Sequence, residues 1–163
     1  MKKSIRSFII TILITGIVIF LVSTFLYQLT FIAGDSMSPT YHNHQAVIAQ
    51  KWGISSHLKP NDVIVIRIPS IKQAIVKRIV GCPGDTVQIK NGQIYVNDIL
   101  WKDSIPLPAD NQIINDAGNA KEPITLSDDE YFVLGDNRNA SIDSRFDEIG
   151  IIQKSQITGI VLN

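Results

Sequence analysis

The chain has 163 residues, of which 45% are hydrophobic and 18% are charged, and its single cysteine, Cys82, excludes an internal disulfide framework. Its formal net charge is zero, but the part from Asp35 onward carries 12 basic and 15 acidic groups, a net charge of −3. This acidic bias argues against a nucleic-acid-binding surface, and the low charge content excludes a mostly disordered chain.

The first predicted element is a membrane-spanning helix. No charged residue lies between Ser7 and Gly34, and the 19 residues of 8–26 are apolar or hydroxylated apart from one glycine. At about 1.5 Å per residue they match the ~30 Å hydrocarbon core of a bilayer. The alternative is a cleaved secretory signal, which has a shorter apolar core and a small-x-small site. Because Phe31 occupies one of the two small positions of such a site ending at Ala33, we predict a retained anchor over 7–29.

The residues at the two ends of this segment predict its orientation. Basic side chains precede it at Lys2, Lys3 and Arg6. The positive-inside rule therefore places residues 1–6 in the cytoplasm and 30–163 outside the cell membrane, with a single pass. Tyr27 and Phe31 are residue types that favour the membrane interface, so they should hold the following residues close to the lipid.

The chain after the anchor is typical of a mostly β domain, a sheet or a barrel. Short runs rich in Val and Ile alternate with turn residues, and no stretch keeps a helical period for long. The predicted strands are 45–50, 62–68, 74–80, 86–89, 93–96, 130–134 and 156–162. Asn91-Gly92 suits a tight turn, so the strands beside it should form a hairpin. Residues 98–127 lack periodicity and are expected to form a cap or an excursion, not an independent domain.

A polar segment, GDSMSPT at 34–40, directly follows the anchor. Its composition alone favours a simple turn, because Gly, Asp, Ser and Pro all favour turns. The alternative is a serine presented for nucleophilic attack. The segment lacks the closing glycine of the hydrolase nucleophile elbow, which argues against a lipase-type serine.

Two cations lie within the apolar strand 74–80. Alternation places Ile75, Lys77 and Ile79 on one face of the strand and Arg78 on the other. In one interpretation this is an edge strand protected by charges, or the lysine extends to water. In the other, apolar neighbours desolvate the Lys77 amine and lower its pKa, so that it can take a proton from a serine near neutral pH. Such a pair would need no histidine.

The segment 135–145, GDNRNASIDSR, places many hydrogen-bonding groups after an apolar strand. It does not match a calcium loop, because an arginine stands at a ligand position and no glutamate closes the loop. A structural ion-pair loop remains open. The histidines, His42, His44 and His57, have no motif around them, so we do not expect a histidine base or a metal site. The stretch 56–59 matches Ser-x-x-Lys literally, but Pro60 prevents its lysine from lying within a helix.

Together and in this order, the anchor, GDSMSPT, NDVIVIRIP, IVKRIVGCPGD and GDNRNASIDSR strongly resemble bacterial type I signal peptidases, and the short domain resembles their minimal Gram-positive form. The resemblance covers most of the chain and leaves chiefly 98–127 unmatched. It implies a membrane-bound Ser/Lys protease with a signal-peptidase-like β fold. It implies that Ser36 is the nucleophile and Lys77 the general base.

The resemblance also implies the roles of neighbouring residues. Ser141 would position the Lys77 amine, Asp143 and Arg145 would form a supporting ion pair, and Arg78 would fix the nearby loop. The substrate site would be lined by Met37, Ile32 and Ile75. No cofactor is implied.

The implied reaction removes signal peptides from exported preproteins after small-x-small sites, through an acyl-enzyme. In some relatives a serine two residues before the nucleophile helps to stabilise the oxyanion, but that position here is Gly34. Two further departures are Asn61, which replaces a glycine, and 146–150, where the usual glycine comes late. The expected partners are exported preproteins and the lipid bilayer. The alternatives are a self-cleaving repressor relative and a non-catalytic membrane-tethered β scaffold that binds exported chains.

Overall fold

The computed structural model of the protein describes residues 2–54, 58–71 and 73–162. The sequence observations on Ser56 and His57 lie outside the described residues. Helix α1 covers Lys2–Leu26, and its part Ile5–Leu26 is long and apolar enough to cross a membrane, by length and composition. Its apolar window is not buried within the described chain, and Lys51 donates hydrogen bonds to the Thr24 and Leu26 carbonyls at its end.

The eleven strands of the described residues confirm a mostly β fold. They are β1 (Tyr27–Phe31), β2 (Ala46–Gln50), β3 (Val63–Ile66), β4 (Ile75–Gly81), β5 (Thr86–Lys90), β6 (Gln93–Val96), β7 (Ile99–Leu100), β8 (Ile124–Thr125), β9 (Glu130–Leu134), β10 (Ile152–Gln153) and β11 (Ile157–Val161). The predicted strands all appear, with ends that differ by no more than two residues. Strands β1, β7, β8 and β10 were not predicted.

The predicted anchor 7–29 and the helix end at different places. The helix ends at Leu26, and the next three residues of the predicted segment belong to β1. Strand β1 pairs antiparallel with β2, and Leu29 lies opposite Ile48. The backbone of these residues therefore forms its hydrogen bonds with the neighbouring strand and not along a helix. Apolar composition alone does not separate the end of an apolar helix from the start of an apolar strand.

The strands form two antiparallel sheets. The larger has the order β1-β2-β11-β3-β4-β9-β10, and the smaller has the order β7-β6-β5-β8. The predicted hairpin is confirmed: β5 pairs with β6, and Asn91 and Gly92 have φ values of 50° and 75°. Residues 98–127 supply both edge strands of the smaller sheet, together with a short helix α2 (Ala109–Gln112) and a 3-10 turn at Gly118–Lys121.

Alternating side chains of the larger sheet build two buried clusters. One contains Val65, Val76 and Val161, and the other contains Ile64, Ile79 and Ile160. A third cluster lies against the smaller sheet. Burial of these Val and Ile side chains on both faces favours β structure, and each contributes about 1.5–3 kcal/mol of transfer free energy.

Strand β4 lies inside the larger sheet, with β3 on one side and β9 on the other. The interpretation of 74–80 as an edge strand protected by charges is therefore wrong. Both cations are also buried, since 4% of Lys77 and 2% of Arg78 is exposed, so they must be accommodated by partners inside the fold.

Candidate active site

Ser36 lies in a tight turn that follows β1. Gly34 precedes it with a φ of 80°, a conformation that side-chain-bearing residues rarely adopt. Within the turn the Ser38 amide donates to the Asp35 carbonyl at 3.0 Å. The Ser36 side chain is half-buried, at the wall of a cavity. The composition of this segment predicted a turn, and a turn is what presents the serine.

The loop that follows β9 fixes this turn from outside. The Asn137 backbone amide donates to the Ser36 carbonyl at 3.0 Å, and the Asn137 side chain donates to the Asp35 carbonyl at 3.2 Å. One residue thus holds two successive carbonyl groups at the serine. The sequence alone does not indicate this role of Asn137, since an asparagine in a polar loop gives no signal of a partner 101 positions away.

Lys77 is buried, with 4% of its surface exposed, and its amine donates a 2.9 Å hydrogen bond to the Ser141 hydroxyl. Burial lowers the pKa of the Lys77 amine to about 8, although the negative charge of Asp143 acts in the opposite direction. Near pH 8 about half of the molecules therefore carry a neutral amine that can accept a proton.

Ser36 and Lys77 line one cavity of about 340 Å³, together with the predicted residues Ile32 and Ile75. Residues 32–34 are shared with a second cavity of about 520 Å³, which extends along β1 and past Ala74. The two cavities are therefore neighbours along the chain segment that leads from β1 to the serine, and we call them together the groove. Met37, also predicted to line the substrate site, is fully buried in a core cluster and does not belong to the cavity wall.

The predicted ion pair between Asp143 and Arg145 is present and fully enclosed. The Arg145 Nε donates to Asp143 Oδ1 at 2.7 Å, and the same guanidinium donates to the Ser141 carbonyl at 3.1 Å. Asp143 also accepts the Gly135 backbone amide at 3.1 Å. This network fixes the backbone of Ser141, and therefore the hydroxyl that contacts the lysine.

Arg78 fixes the same loop from the opposite side of β4. Its guanidinium makes two hydrogen bonds to the Asp136 carboxylate, at 2.8 and 2.7 Å, and a third to the Asn61 carbonyl at 2.8 Å. Asp136 also accepts the Thr40 hydroxyl, so it links the serine turn to the lysine strand. Asp136 and Thr40 were not predicted as site residues. Thr40 lies in GDSMSPT and Asp136 in GDNRNASIDSR, and these positions are the sequence signal that could have found them.

Gly135 lies where the serine turn meets the lysine loop. A Cβ at this position would lie 2.3 Å from the Ser141 Oγ and 2.4 Å from the Ser36 carbonyl oxygen. Any side chain would therefore push the two segments apart. The sequence shows only a glycine after a strand, which is common in turns and does not indicate this close approach.

His42 and His44, for which no catalytic role was predicted, do not line the cavity that holds Ser36 and Lys77. His42 and His44 are exposed, and among the residues that the structure describes no group of three or more His, Cys, Asp or Glu side chains could hold a metal ion. The cavity instead combines a half-buried hydroxyl with a lysine amine of lowered pKa. This is a pair suited to nucleophilic attack assisted by a general base.

Comparison with known proteins gives matches over nearly the whole chain. The family model "Signal peptidase, peptidase S26" matches residues 5–162. The chain is 35% identical to signal peptidase I P of Bacillus subtilis subsp. natto, with 98% of this chain and 88% of the relative covered. It is 34% identical to signal peptidase I S of Bacillus subtilis strain 168, with 97% and 87% covered.

A solved structure shows the same fold. It is a signal peptidase I from Enterococcus faecalis V583, which matches with a TM-score of 0.50 and 23% identity over 66% of this chain and 98% of the other. Since family model and relatives span nearly the whole sequence, the chain belongs to the signal peptidase family, peptidase S26, and is a serine endopeptidase of that family.

Proposed function

We propose that the protein removes signal peptides from exported preproteins with Ser36 as nucleophile and Lys77 as general base. The observation that carries this proposal is the buried Lys77 amine, whose pKa is lowered to about 8, in the cavity that Ser36 also lines. A lysine that is protonated throughout the neutral range has no lone pair with which to accept a proton. Burial lowers the pKa of Lys77, so that part of the protein carries the neutral amine near neutral pH.

In the proposed reaction the neutral Lys77 amine takes the Ser36 hydroxyl proton as Oγ attacks the scissile carbonyl. The protonated amine then gives its proton to the departing nitrogen, which leaves as the amino terminus of the mature protein. Water, deprotonated by the same amine, next attacks the Ser36 ester. The amine returns this proton to the departing Ser36 Oγ, and the signal peptide leaves with a new carboxyl terminus. Ser141 orients the amine during each transfer through its 2.9 Å hydrogen bond.

The oxyanion needs preorganised donors. The Ser36 backbone amide is the proposed first donor. Gly34 supplies no side-chain hydroxyl, and its own amide already donates to the Asn43 side chain at 2.9 Å. Residue 34 therefore does not supply a second hydrogen-bond donor to the oxyanion through a side chain.

The groove along β1 suits an extended peptide. Strand β1 is an edge of the larger sheet, so one side of its backbone is open to an added strand. The cavity beside Ser36 has apolar walls that include Ile32 and Ile75. Branched side chains at the wall favour small over bulky substrate side chains, which supports cleavage after small-x-small sequences such as Ala-x-Ala.

We place the catalytic domain at the outer surface of the cell membrane, with residues 1–6 in the cytoplasm. Beyond α1, the outer face of the first two strands is apolar: Leu29, Phe31 and Ile48 are 62%, 62% and 53% exposed. Leu29 and Ile48 are cross-strand neighbours, and the Lys51 amide donates to the Leu26 carbonyl at the helix end. This apolar face therefore continues directly from the helix and suits contact with lipid.

The test uses the full-length protein in detergent and a preprotein with an Ala-x-Ala site. Ser36→Ala and Lys77→Ala should each reduce cleavage by about 10³-fold or more. Thr125→Ala, on the smaller sheet, is the control and should cleave normally. Cleavage by Lys77→Ala at the parental rate would rule out the proposed base. The non-catalytic scaffold has lost its main support, since Lys77 does not lie on an edge strand.

A further inference from the structure

The active-site cavity extends beyond the serine and the lysine to a second wall. This wall, which we call the exit wall, consists of Ala140, Ile142, Glu148 and Ile149. Ile142 and Glu148 are exposed, and the Glu148 side chain has no hydrogen bond or ion pair within the part of the chain that the structure describes. The proposed catalytic steps leave this wall without a role.

The course of the chain indicates which part of a substrate meets the exit wall. The groove along β1 begins at Gln28, two residues after the end of α1, so this end of the groove lies nearest the membrane. The apolar part of a signal peptide lies in the same membrane. The residues before the cut must therefore enter along β1 and reach Ser36, and those after the cut must continue towards the exit wall.

Charge distinguishes the exit wall from the rest of the cavity. The charged side chains that line the cavity are Asp35, Lys77 and Glu148. With the Lys77 amine neutral, the two carboxylates remain, and Glu148 is the one on the wall that faces the departing chain. Arg78 and Arg145 do not offset them, because each is paired with a buried aspartate.

We propose that the exit wall binds the first residues of the mature protein and that Glu148 is a specificity-determining residue, favouring a basic over an acidic side chain there. The inference rests on the proposed function, since it requires a preprotein in the groove. Ile142 and Ile149 supply apolar contact for the stem of a long basic side chain, and the carboxylate attracts its charged end. An acidic side chain meets repulsion instead.

The test compares peptides that share one Ala-x-Ala site and differ in a single residue after the cut. Lys, Gln or Glu is placed at the first or the second position after the cut, and kcat/KM is measured with the full-length protein in detergent. At one of these positions the parent should prefer Lys over Glu by about fivefold at low salt, as expected of an exposed ion pair. The preference should nearly vanish at 1 M salt.

Variants then assign the preference to one carboxylate. Glu148→Gln should abolish it and Glu148→Lys should reverse it. Glu122→Gln, which makes the same charge change at an exposed residue outside the cavity, should retain it. The pH profile of kcat should stay unchanged in Glu148→Gln, because the charges acting on Lys77 are those of Asp143, Arg145 and Asp136.

The outcomes separate this inference from the function on which it rests. If the parent cleaves all peptides equally, or Glu148→Gln keeps the preference for Lys, the role of Glu148 is wrong and the protease assignment stands. If the parent cleaves none of the peptides and no preprotein, the proposed function fails, and the exit wall fails with it.

Discussion

The Lys77 amine donates its 2.9 Å hydrogen bond to the Ser141 hydroxyl inside the protein, where 4% and 6% of the two residues are exposed. A neutral amine that donates one hydrogen to a fixed acceptor has fewer directions in which its lone pair can point. Because Arg145 and Asp143 fix the backbone around Ser141, this restriction is present before any substrate arrives.

Ser141→Ala should lower kcat by about ten- to hundredfold and leave KM nearly unchanged. The substitution leaves a buried amine without its hydrogen-bond acceptor. The rate of the proton-transfer step therefore falls, whereas substrate binding is unaffected. Single-turnover cleavage measures this effect, and thermal unfolding in detergent checks that the fold persists. A fall in the unfolding midpoint large enough to explain the lost activity would contradict a positioning role.

Activity should rise with pH through about 8, the pKa to which burial lowers the Lys77 amine. The sign follows from the chemistry, because the neutral form is the base and its fraction grows as pH increases. Lys77→Arg should be inactive from pH 6 to 10, since its guanidinium does not lose a proton in this range. A flat profile over that range, or an active arginine variant, would exclude an amine base.

The same pKa predicts how stability depends on pH. The unfolded chain holds a proton on this lysine up to about pH 10.5, whereas the folded chain releases it near 8. The unfolded state therefore binds more protons between these values, and the free energy of unfolding should rise with pH across them. Lys77→Met should lose this part of the pH dependence in denaturant titrations. Parallel curves for the two proteins would show that the buried amine titrates normally.

Gly135→Ala should reduce cleavage by about a hundredfold or more, because the added methyl group must displace the Ser36 carbonyl or the Ser141 hydroxyl. Gly16→Ala is a suitable comparison, since a Cβ there meets nothing within 4 Å. Rates for both variants on one preprotein give the test. Parental activity in Gly135→Ala would mean that the two segments tolerate separation.

The apolar face of the first two strands should matter only where lipid is present. Ile48→Asp should leave cleavage of a soluble peptide in detergent unchanged, because Ile48 lines neither cavity. The same substitution should lower cleavage of a membrane-inserted preprotein in vesicles severalfold, because a charge is costly at a lipid-facing site. Ile99→Asp is the control, since Ile99 is 72% exposed on the smaller sheet. Equal effects of the two substitutions in vesicles would argue against lipid contact at this face.

The sequence by itself determined the long apolar helix, seven of the strands and the hairpin at Asn91-Gly92. These follow from local patterns, namely apolar length, runs of Val and Ile, and turn residues that tolerate positive φ. It also indicated the serine, the lysine and their supporting residues, because the motifs resemble a known family. The Asp143–Arg145 pair could be expected for the same reason.

Tertiary structure decided what depends on pairing between distant segments. The end of α1 at Leu26 is set by the pairing of β1 with β2. The loop that carries Ser141 contacts the Lys77 amine and the surrounding fold buries it, and it is this burial that lowers its pKa. The close contact at Gly135, the link through Asp136 and the burial of Met37 likewise arise where segments meet in space. A local sequence pattern fixes the conformation of a segment, whereas desolvation and close packing depend on which other segments surround it.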